Sequence, residues 1–517
     1  MLSQTLGTVF ALLGLANYSW AQASQNVSLP QISSSPSNAS QILDPRLASL
    51  SIEFSYLPSF GGNLSNPNLL TKELLQRLVE RTGVGPDIRP GGISVDSSMY
   101  QANASALELD ESPAGGIYRT VFGPAYYESF AVFPNTSRYV IDVNLGNNTI
   151  QYARDEIQAA IDYIGWDKIY ALELGNEADQ YPPGSRPSTW ASSDYTAQFL
   201  GWTSILSRNL SLPPAIFQAG SFAIDPTPTA PMTTVSIIQE GVDSTNEVKV
   251  FSQHTYQYST CDPVRNAIAT LPNLINHQNI TAYLDLWKPQ IAAAHSIGKE
   301  FVVGEYSSVS CSGKENVTDT FGQALWLADT VLYGAFLSIS RMYLHQGATL
   351  VLQSGNQANS AGFSWYDLWY PVPSDRYGSA RASPSFVAYL LITEAVGSSG
   401  QSQISLIPTP SNPQLAVYAI WDNSILSRMA ILNLSTRNVT SSQDAGEVVV
   451  DLSEYVSGSG ATVKRMTAPG LDSKDSSLVT WAGQSYENGT ASGMEVIETL
   501  QGGSVTVKGS EGVLVFL

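Results

Sequence analysis

Apolar and polar positions change their spacing repeatedly between about residues 46 and 385. Short apolar runs that suit buried strands alternate with longer segments in which apolar residues recur at helical spacing. Eight strand candidates lie at residues 49–54, 87–89, 139–144, 168–174, 215–219, 248–254, 301–303 and 342–344. Helical segments separate them, among them 67–83, 154–164, 284–297 and 321–339. Strands that alternate with helices form parallel sheets, and eight such units predict a (β/α)8 TIM barrel.

An open, doubly wound sheet is the alternative fold for this part of the chain. Such a sheet usually carries a glycine-rich phosphate-binding loop after its first strand. The residues at that position, Phe54 to Leu57, contain no glycine. The barrel is therefore preferred.

The pattern changes after about residue 400, where helical spacing fades. Short alternating segments at 415–420, 429–432, 447–450, 461–463, 504–507 and 512–516 are separated by Ser, Gly, Asn and Asp. This texture is typical of an antiparallel β-sandwich. We therefore expect a catalytic barrel over residues 46–390 and a sandwich over 391–517, with residues 24–45 expected to add a strand to the sandwich.

The first 23 residues resemble a secretory signal peptide. An apolar run from Leu6 to Ala16 precedes small residues near Ala23, although a first core helix is the alternative. Twelve Asn-x-Ser/Thr sequons follow and favour a secreted, extracellular glycoprotein. The sequons are Asn26, Asn38, Asn63, Asn103, Asn135, Asn147, Asn209, Asn279, Asn316, Asn433, Asn438 and Asn488.

The charge balance is acidic, with 25 basic against 44 acidic residues and a net charge of −19. Clustered Lys and Arg are needed to bind phosphates, so neither nucleic acid nor an anionic membrane is an expected partner. The four histidines lack paired metal-ligand spacing and no nucleotide loop is present, so no metal or cofactor is expected. The two cysteines form either one disulfide or two buried thiols. We expect a monomer.

Two glutamates follow barrel strands and carry the candidate chemistry. Glu177 ends the fourth strand in Gly175-Asn176-Glu177, and Glu305 ends the seventh in Gly304-Glu305. Either one alone is an ordinary loop carboxylate. Active sites of (β/α)8 barrels lie at the carboxyl ends of the strands, so both side chains are expected on one face. Two facing carboxylates are what glycosidic bond cleavage requires.

These motifs resemble the large clan of barrel glycosidases with glutamates on strands four and seven. Within it the chain resembles glycoside hydrolase family 79, which includes β-glucuronidases, 4-O-methyl-glucuronidases and heparanases. The likeness extends over nearly the whole chain. The chain resembles a secreted member of the family of the fungal type. It rests on Arg89-Pro90-Gly91-Gly92, His254-Thr255-Tyr256, His345-Gln346-Gly347 and the terminal segment 512–516.

The resemblance implies a role for each site residue. Glu177 is the acid/base and Glu305 the nucleophile. Asn176 is expected to bind the sugar 2-hydroxyl, Tyr256 and Arg89 to contact Glu305, Glu53 to accept sugar hydroxyls, and His254 to lie in the substrate site. The C6 carboxylate of a glucuronide is expected near the loop after strand seven, with Tyr258, Ser310 and Gly313 as candidates.

The two cysteines follow these motifs closely along the chain. Cys261 lies shortly after Tyr256, and Cys311 shortly after Glu305. Because strands six and seven are neighbours, we predict a Cys261–Cys311 disulfide between their loops, with Cα atoms no more than about 7 Å apart.

The resulting hypothesis is a retaining exo-β-glucuronidase that acts on terminal glucuronic acid or its 4-O-methyl ether in a glycan. One alternative is an endo-acting relative on glycosaminoglycans, which the scarcity of basic residues disfavours. Another is a different retaining β-glycosidase of the clan. A non-catalytic carbohydrate-binding surface protein is the third, and it would have no use for the paired carboxylates.

Overall fold

The computed structural model describes residues 25–111, 117–182, 184–347, 363–374, 377–456, 460–500 and 502–517. The expected signal peptide at residues 1–23 lies outside these described residues. Strands and helices are numbered below in chain order. Within the described part of the chain, no helix combines the length and the apolarity needed to cross a membrane.

Eight parallel strands close into a barrel and confirm the predicted (β/α)8 fold. These strands are β2 (Ala48–Glu53), β3 (Ile88–Gly91), β7 (Tyr139–Val143), β8 (Ile169–Leu174), β9 (Phe217–Phe222), β10 (Val248–Ser259), β11 (Glu300–Ser310) and β12 (Met342–Gln346). Each pairs with the next around the ring, and β12 pairs with β2 to close it. Most positions in these strands are buried, because the ring encloses one face and helices cover the other.

Helices follow most of the barrel strands. They are α1 (Leu57–Gly61), α2 (Leu69–Thr82), α3 (Ile150–Ile164), α4 (Ser192–Leu210), α5 (Thr234–Gln239), α6 (Pro263–Ile268), α7 (Leu271–Leu274), α8 (His277–Leu284), α9 (Lys288–Ser296), α10 (Phe321–Phe336) and α11 (Phe386–Val396). The helix expected at 284–297 is shorter in the structure, because α8 already ends at Leu284 and α9 begins only at Lys288. A 3₁₀ turn at Asp285–Trp287 separates these two helices. Pro289 fits in the first turn of α9, because backbone N–H groups there have no partner within the helix and the missing N–H of proline costs nothing.

Two small sheets in the barrel loops were not predicted. The first contains β4 (Ser98–Tyr100), β5 (Leu107–Glu111) and β6 (Ile117–Phe122) and lies in the connection between β3 and β7. The second pairs β13 (Trp369–Tyr370) with β14 (Arg381–Ala382) after the last barrel strand. Strands this short carry little periodic signal in the sequence.

The C-terminal part forms the predicted antiparallel sandwich. One sheet contains β15 (Ser402–Ile407), β16 (Leu415–Asp422), β17 (Ile425–Asn433), β19 (Thr462–Thr467), β20 (Thr480–Trp481), β21 (Glu498–Thr499) and β23 (Glu511–Phe516). The other contains β1 (Gln25–Ser28), β18 (Val448–Asp451) and β22 (Ser504–Val507). The N-terminal strand β1 pairs in parallel with β18.

The larger sheet of the sandwich is buried on both faces. Along β16, Leu415 and Val417 pack into the core between the two sheets, whereas Ala416 and Tyr418 join the core that the barrel helices share. This alternation follows from the two-residue period of a strand. The Tyr418 hydroxyl donates a hydrogen bond of 2.6 Å to Asp329 Oδ1 on α10. The sandwich therefore covers one side of the barrel.

Eleven of the twelve sequon asparagines are exposed or partly exposed, and Asn433 is buried. Its Nδ2 donates to the carbonyls of Gly446 and Val507 at 2.7 and 3.1 Å inside the sandwich. A glycan on this nitrogen would replace one of its two N–H groups and so break a hydrogen bond, and the fully buried side chain leaves no exposed atom to carry it. The expectation of a glycan at Asn433 is therefore wrong, because its side chain is a structural part of the sandwich.

Candidate active site

A cleft of about 470 Å³ opens at the carboxyl ends of the barrel strands. Residues in or just after the carboxyl-terminal parts of β2, β8, β10, β11 and β12 line it, including Glu53, Glu177, Tyr256, Glu305 and His345. Catalytic residues of (β/α)8 barrels come from the ends of several different strands in this way.

Glu177 and Glu305 face each other across the cleft. One carboxylate oxygen of each lies within 4.8 Å of the other. Retaining glycosidases place their two carboxyl groups about 5–5.5 Å apart, and inverting enzymes leave about 6.5–9.5 Å for a water molecule. The observed spacing therefore suits direct attack by one carboxylate.

The backbone at Glu177 has an unusual conformation, with a φ of 51° and a ψ of 52°. Left-handed conformations are costly for residues with a Cβ and cluster at functional sites, where the surrounding structure enforces them. Here the Glu177 N–H donates to the carbonyl of Ser221 on β9 at 3.1 Å. The side chain is left 21% exposed and faces the cleft.

Arg89 lies beneath Glu305 and is fully buried. Its Nη1 donates to Glu305 Oε2 at 2.9 Å, and its Nη2 donates to Glu173 at 2.6 Å and to Asp142 at 3.2 Å. Nη2 also donates to Asn176 Oδ1 at 2.9 Å. One guanidinium therefore compensates three buried carboxylates and holds them in a fixed arrangement.

The two glycines after Arg89-Pro90 provide room for this arrangement. A Cβ atom on Gly91 would lie 2.7 Å from the Arg89 guanidinium carbon. Gly92 has a φ of 98°, and a Cβ atom there would lie 2.6 Å from Glu53 Oε2. The motif therefore contains glycines because larger residues would collide with two side chains of the site.

Glu305 is surrounded by groups that favour its ionised form. Burial raises the pKa of this carboxyl, but the charges of His345, His254 and Arg89 and a hydrogen bond from Tyr256 outweigh it and lower the pKa to about 2. The Tyr256 hydroxyl donates to Glu305 Oε1 at 2.8 Å. His345 Nδ1 lies 3.4 Å from Oε2. The carboxylate is thus charged across the physiological pH range.

His254 lies between the two glutamates. Its Nδ1 is 2.9 Å from Glu177 Oε1 and 4.0 Å from Glu305 Oε2. A register shift between Gln253 and His254 aligns His254 with Glu305 on the neighbouring strand. The ring is fully buried, so His254 does not line the cleft. The expectation that His254 lies in the substrate site is therefore wrong, whereas Arg89 contacts Glu305 as expected. Both side chains lie behind the carboxylates and orient them.

Glu53 and Asn176 both line the cleft. Glu53 Oε1 accepts a hydrogen bond from the backbone N–H of Ser94 at 3.1 Å and another from its hydroxyl. Asn176 uses its Oδ1 to accept from Arg89, which directs its amide NH₂ group toward the cleft. These two side chains can accept from and donate to sugar hydroxyls.

The three candidates for binding a C6 carboxylate are placed differently. Ser310 lines the cleft. Tyr258 does not, because its hydroxyl points away and donates to the carbonyl of Asn273 at 3.0 Å. Gly313 is also absent from the lining and packs near Trp365 and Tyr366. Tyr258 is therefore wrong as a direct substrate contact, and the role of Gly313 stays a prediction.

The predicted disulfide joins Cys261 to Cys311, with Cα atoms 6.0 Å apart. It connects the loops after β10 and β11. The Thr260 hydroxyl adds hydrogen bonds to the carbonyls of Ser310 and Cys311 at 3.2 and 3.0 Å. The wall of the cleft beyond Glu305 is therefore held by a covalent bond and by hydrogen bonds.

Several residues that line the cleft were not predicted from the sequence, including Gln180, Asp225, Arg265 and Tyr366. They lie in the connections that follow barrel strands, with Arg265 on the short helix α6, and no periodic pattern there predicts which side chains turn inward. For Arg265 a signal existed, because it follows Cys261 by four residues and the disulfide brings its loop to the cleft.

Glu177, His254 and Glu305 are also the one set of three potential metal ligands with close ligand atoms in the described parts of the chain. Arg89 already supplies a positive charge to Glu305, and His254 Nδ1 is engaged with Glu177. These contacts indicate two carboxylates held by hydrogen bonds, with His254 as a hydrogen-bond partner of Glu177.

Comparisons with known proteins agree with this geometry. Residues 417–514 match the sequence model described as the glycosyl hydrolase family 79 C-terminal beta domain. A β-glucuronidase of Aspergillus niger is 28% identical over 509 residues, covering 92% of this chain and 88% of its own. One of Neurospora crassa is 28% identical and covers 92% and 90%.

A solved structure shows the same fold over most of the chain. It is the crystal structure of a 4-O-α-L-rhamnosyl-β-D-glucuronidase from Fusarium oxysporum, in complex with Rha-GlcA. The TM-score is 0.79 at 24% identity, and the match covers 95% of this chain and 100% of that one. The chain is therefore a glycoside hydrolase, and its resemblance to family 79 is confirmed by the match of its C-terminal β domain.

Proposed function

We propose that the protein is a retaining exo-β-glucuronidase that releases terminal β-linked glucuronic acid, or its 4-O-methyl ether, from glycans. The observation that carries the proposal is the pair of carboxylates within 4.8 Å of each other in the barrel cleft. The substrate class comes from the β-glucuronidases that resemble the chain over most of its length.

Glu305 is the nucleophile of the proposed reaction. Its lowered pKa keeps it ionised, and Arg89 and Tyr256 hold both of its oxygens in place. Attack on the anomeric carbon forms a glycosyl ester and expels the leaving-group oxygen. Arg89 is a positioning residue, because it touches Glu305 and not the sugar.

Glu177 is the proposed acid and base. Its partly exposed carboxyl can reach both the leaving-group oxygen and the water that later replaces it. His254 holds Glu177 Oε1 at 2.9 Å and keeps the side chain turned toward Glu305. The proton that Glu177 gives to the leaving group in the first step returns to it from water in the second.

Asn176 and Glu53 are the proposed hydroxyl contacts of the sugar. The Asn176 amide NH₂ adjoins Glu177 in the chain and suits the 2-hydroxyl, a contact that strengthens in the transition state. Glu53 lies at the end of β2, against His345, with 3.8 Å between Oε2 and Nε2. Its two oxygens can accept from neighbouring hydroxyls.

An endo-acting enzyme on sulfated glycosaminoglycans is the less favoured function. Sulfated chains need several basic side chains along the cleft. Among the described residues, four carboxylates line this cleft, from Glu53, Glu177, Asp225 and Glu305. We propose further that the protein is a secreted monomeric glycoprotein that needs no cofactor, with neither nucleic acid nor membranes as partners.

The test uses p-nitrophenyl β-glucuronide, with the β-glucoside and β-xyloside as controls. We expect the wild type to prefer the glucuronide and to release the β-anomer first, which proton NMR detects. Glu305→Gln and Glu177→Gln should each lower turnover by several orders of magnitude while the thermal unfolding midpoint stays near that of the wild type. Near-normal turnover of Glu305→Gln, or initial release of the α-anomer, would refute the proposal.

A further inference from the structure

An apolar groove of about 610 Å³ lies on the outer wall of the barrel. Its lining comes from the 3₁₀ segment Pro124–Val132, from the end of α3 and from the residues that lead into β7 and β8. Apart from Glu128, Asn135 and Lys168, the described lining residues are apolar or aromatic. Asn135 and Lys168 shortly precede β7 and β8, so this end of the groove lies at the amino ends of the strands, away from the catalytic cleft. Contiguous apolar surface of this kind marks a binding site more often than not.

Aromatic rings form part of this groove. Tyr127 stacks on Tyr163, with ring centroids 5.1 Å apart and an angle of 14° between the ring planes. Tyr127 also stacks on Phe130, at 5.7 Å and 26°. Tyr163 is 49% exposed, so a large part of an aromatic ring faces solvent. Sugar rings have faces of C–H groups, and these faces pack well against the electron-rich face of an aromatic ring.

Polar groups stand beside the aromatic rings. The carboxylate of Glu128 accepts the backbone N–H of Leu64 at 3.2 Å, and its second oxygen can accept from a sugar hydroxyl. Lys168 Nζ donates to the backbone carbonyl of Asn135, and its ammonium group has three donors in all. An apolar surface with a few polar groups is the usual composition of a site for a small ligand.

Asn135 lines the groove and also begins a sequon. Its side chain is exposed, and within the described part of the chain its amide has no hydrogen-bond partner. A glycan on Nδ2 would therefore start inside the groove. Asn63 is a second sequon nearby, since it precedes the lining residue Leu64, but Asn63 itself does not line the groove.

Other occupants of the groove are less well supported. A second copy of the chain would bring another net charge of −19, and the repulsion opposes association. A free glycan would have to bind through a few weak contacts. A glycan attached to Asn135 is present at an effective concentration of about a millimolar or more, because a linked ligand binds intramolecularly. Weak contacts then suffice to fill the groove.

We propose that an N-linked glycan on Asn135 turns back into the groove and packs its first sugars on Tyr163. The inference goes beyond the proposed hydrolase activity and rests only on the proposed secreted, glycosylated state. In the transfer, Asn135 Nδ2 attacks C1 of an oligosaccharide carried on a lipid diphosphate. A C1–N bond forms, the bond from C1 to the diphosphate oxygen breaks with its electron pair, and one amide proton is released.

The experiment follows the removal of glycans from the native protein, secreted from a eukaryotic host that attaches high-mannose glycans. An endoglycosidase that cuts between the first two sugars is added, and mass spectrometry of glycopeptides measures the release rate at each sequon. Asn209, an exposed sequon on α4 outside the groove, is the internal reference. An aromatic contact that must open before cleavage predicts about 3- to 10-fold slower release at Asn135 than at Asn209.

Two variants of the exposed ring test the contact itself. Tyr163→Ala removes the ring and should raise the release rate at Asn135 by about 3- to 10-fold, with the rate at Asn209 unchanged. Tyr163→Phe keeps the ring and should release both glycans at the wild-type rates. A circular dichroism spectrum like that of the wild type shows that each variant is folded.

A second measurement uses 8-anilinonaphthalene-1-sulfonate, a dye that fluoresces on exposed apolar surface. Asn135→Gln removes the glycan and should increase the dye fluorescence. Asn209→Gln removes a glycan from another surface and should not change it. Ser65→Ala removes the sequon of Asn63 but keeps its side chain, and it should also leave the fluorescence unchanged.

The outcomes separate the inference from the proposed function. An empty Asn135 in a protein with glycans at other sequons overturns the inference alone. Equal release rates at Asn135 and Asn209, or slow release that persists in Tyr163→Ala, also overturn it. An increase in dye fluorescence with Ser65→Ala and not with Asn135→Gln would assign the groove to the other glycan.

A second copy in the groove would give a dimer in light scattering of both the wild type and Asn135→Gln, and this too overturns the inference. A secreted chain without glycans at every sequon refutes the proposed glycoprotein and the inference together. Failure to cleave the glucuronide refutes the proposed hydrolase activity and leaves the inference standing if the release rates are as expected.

Discussion

Tyr256→Phe tests how the hydroxyl contact to Glu305 acts in the two chemical steps. The change removes one hydrogen bond, of 2.8 Å to Glu305 Oε1, and leaves the aromatic ring in place. In the first step Glu305 starts as a full carboxylate and loses charge toward the transition state. In the second step it starts as a neutral ester and regains charge as the sugar leaves. The hydrogen bond therefore favours the second step and not the first.

The magnitude follows from the strength of a hydrogen bond to a charged group, about 1.5–3 kcal/mol. Only part of the charge has developed in the second transition state, so about 1–2 kcal/mol is expected to be lost there. This corresponds to an about 5- to 30-fold slower release of the sugar from Glu305. The first step should change little. The covalent intermediate then accumulates, and kcat and KM fall together while kcat/KM stays nearly constant.

Rapid-mixing kinetics with p-nitrophenyl β-glucuronide measure this directly. We expect a burst of p-nitrophenol close to one equivalent of enzyme, followed by a slower steady state than that of the wild type. The thermal unfolding midpoint serves as the folding control. If kcat/KM falls in proportion to kcat, with KM unchanged and no burst, Tyr256 acts by positioning Glu305 for attack and the reasoning is refuted.

Three further changes have defined outcomes. Arg89→Met leaves three buried carboxylates without a cation and should lower the free energy of unfolding by about 3–5 kcal/mol, measured by urea denaturation; a loss below about 1 kcal/mol would contradict the network. Burial raises the pKa of Glu305, and His345 lowers it more than any other group does. His345→Gln should therefore raise the pKa of Glu305 and move the acidic limb of the kcat/KM profile to higher pH. An acidic limb that stays in place or moves to lower pH would contradict this. Replacing Cys261 and Cys311 by Ala should reduce stability by about 2–4 kcal/mol, seen as a lower unfolding midpoint, and an unchanged midpoint would show that the loop hydrogen bonds suffice.

The sequence predicts the barrel and the shared placement of Glu177 and Glu305 because both depend on long periodic segments. Once the strands are counted in order, parallel pairing sends their carboxyl ends to one face. Arg89 could be placed near Glu305 for the same reason, since it lies on a barrel strand. The sandwich was predictable from its two-residue alternation.

The rest depends on geometry that periodicity does not contain. The register of β10 shifts between Gln253 and His254, and the hydroxyl of Tyr258 donates to the carbonyl of Asn273 and does not reach the cleft. Asp225 lies on a loop and Arg265 on the short helix α6, and tertiary packing decides which of their side chains turn inward. The burial of Asn433 depends on two backbone carbonyls that accept from its side chain, one on Gly446 and one on the distant Val507.

The seven-stranded sheet has a consequence for how the molecule can be divided. Since neighbouring residues of β16 belong to two separate cores, cutting the chain before this sheet would strip an apolar wall from the barrel and leave Asp329 in α10 without the Tyr418 hydroxyl. The two domains are distinct in strand topology, but they share a hydrophobic core and depend on each other to fold. An ancestor or an engineered form that exchanged the sandwich for another module would have to rebuild the outer surface of α10 and α11 at the same time.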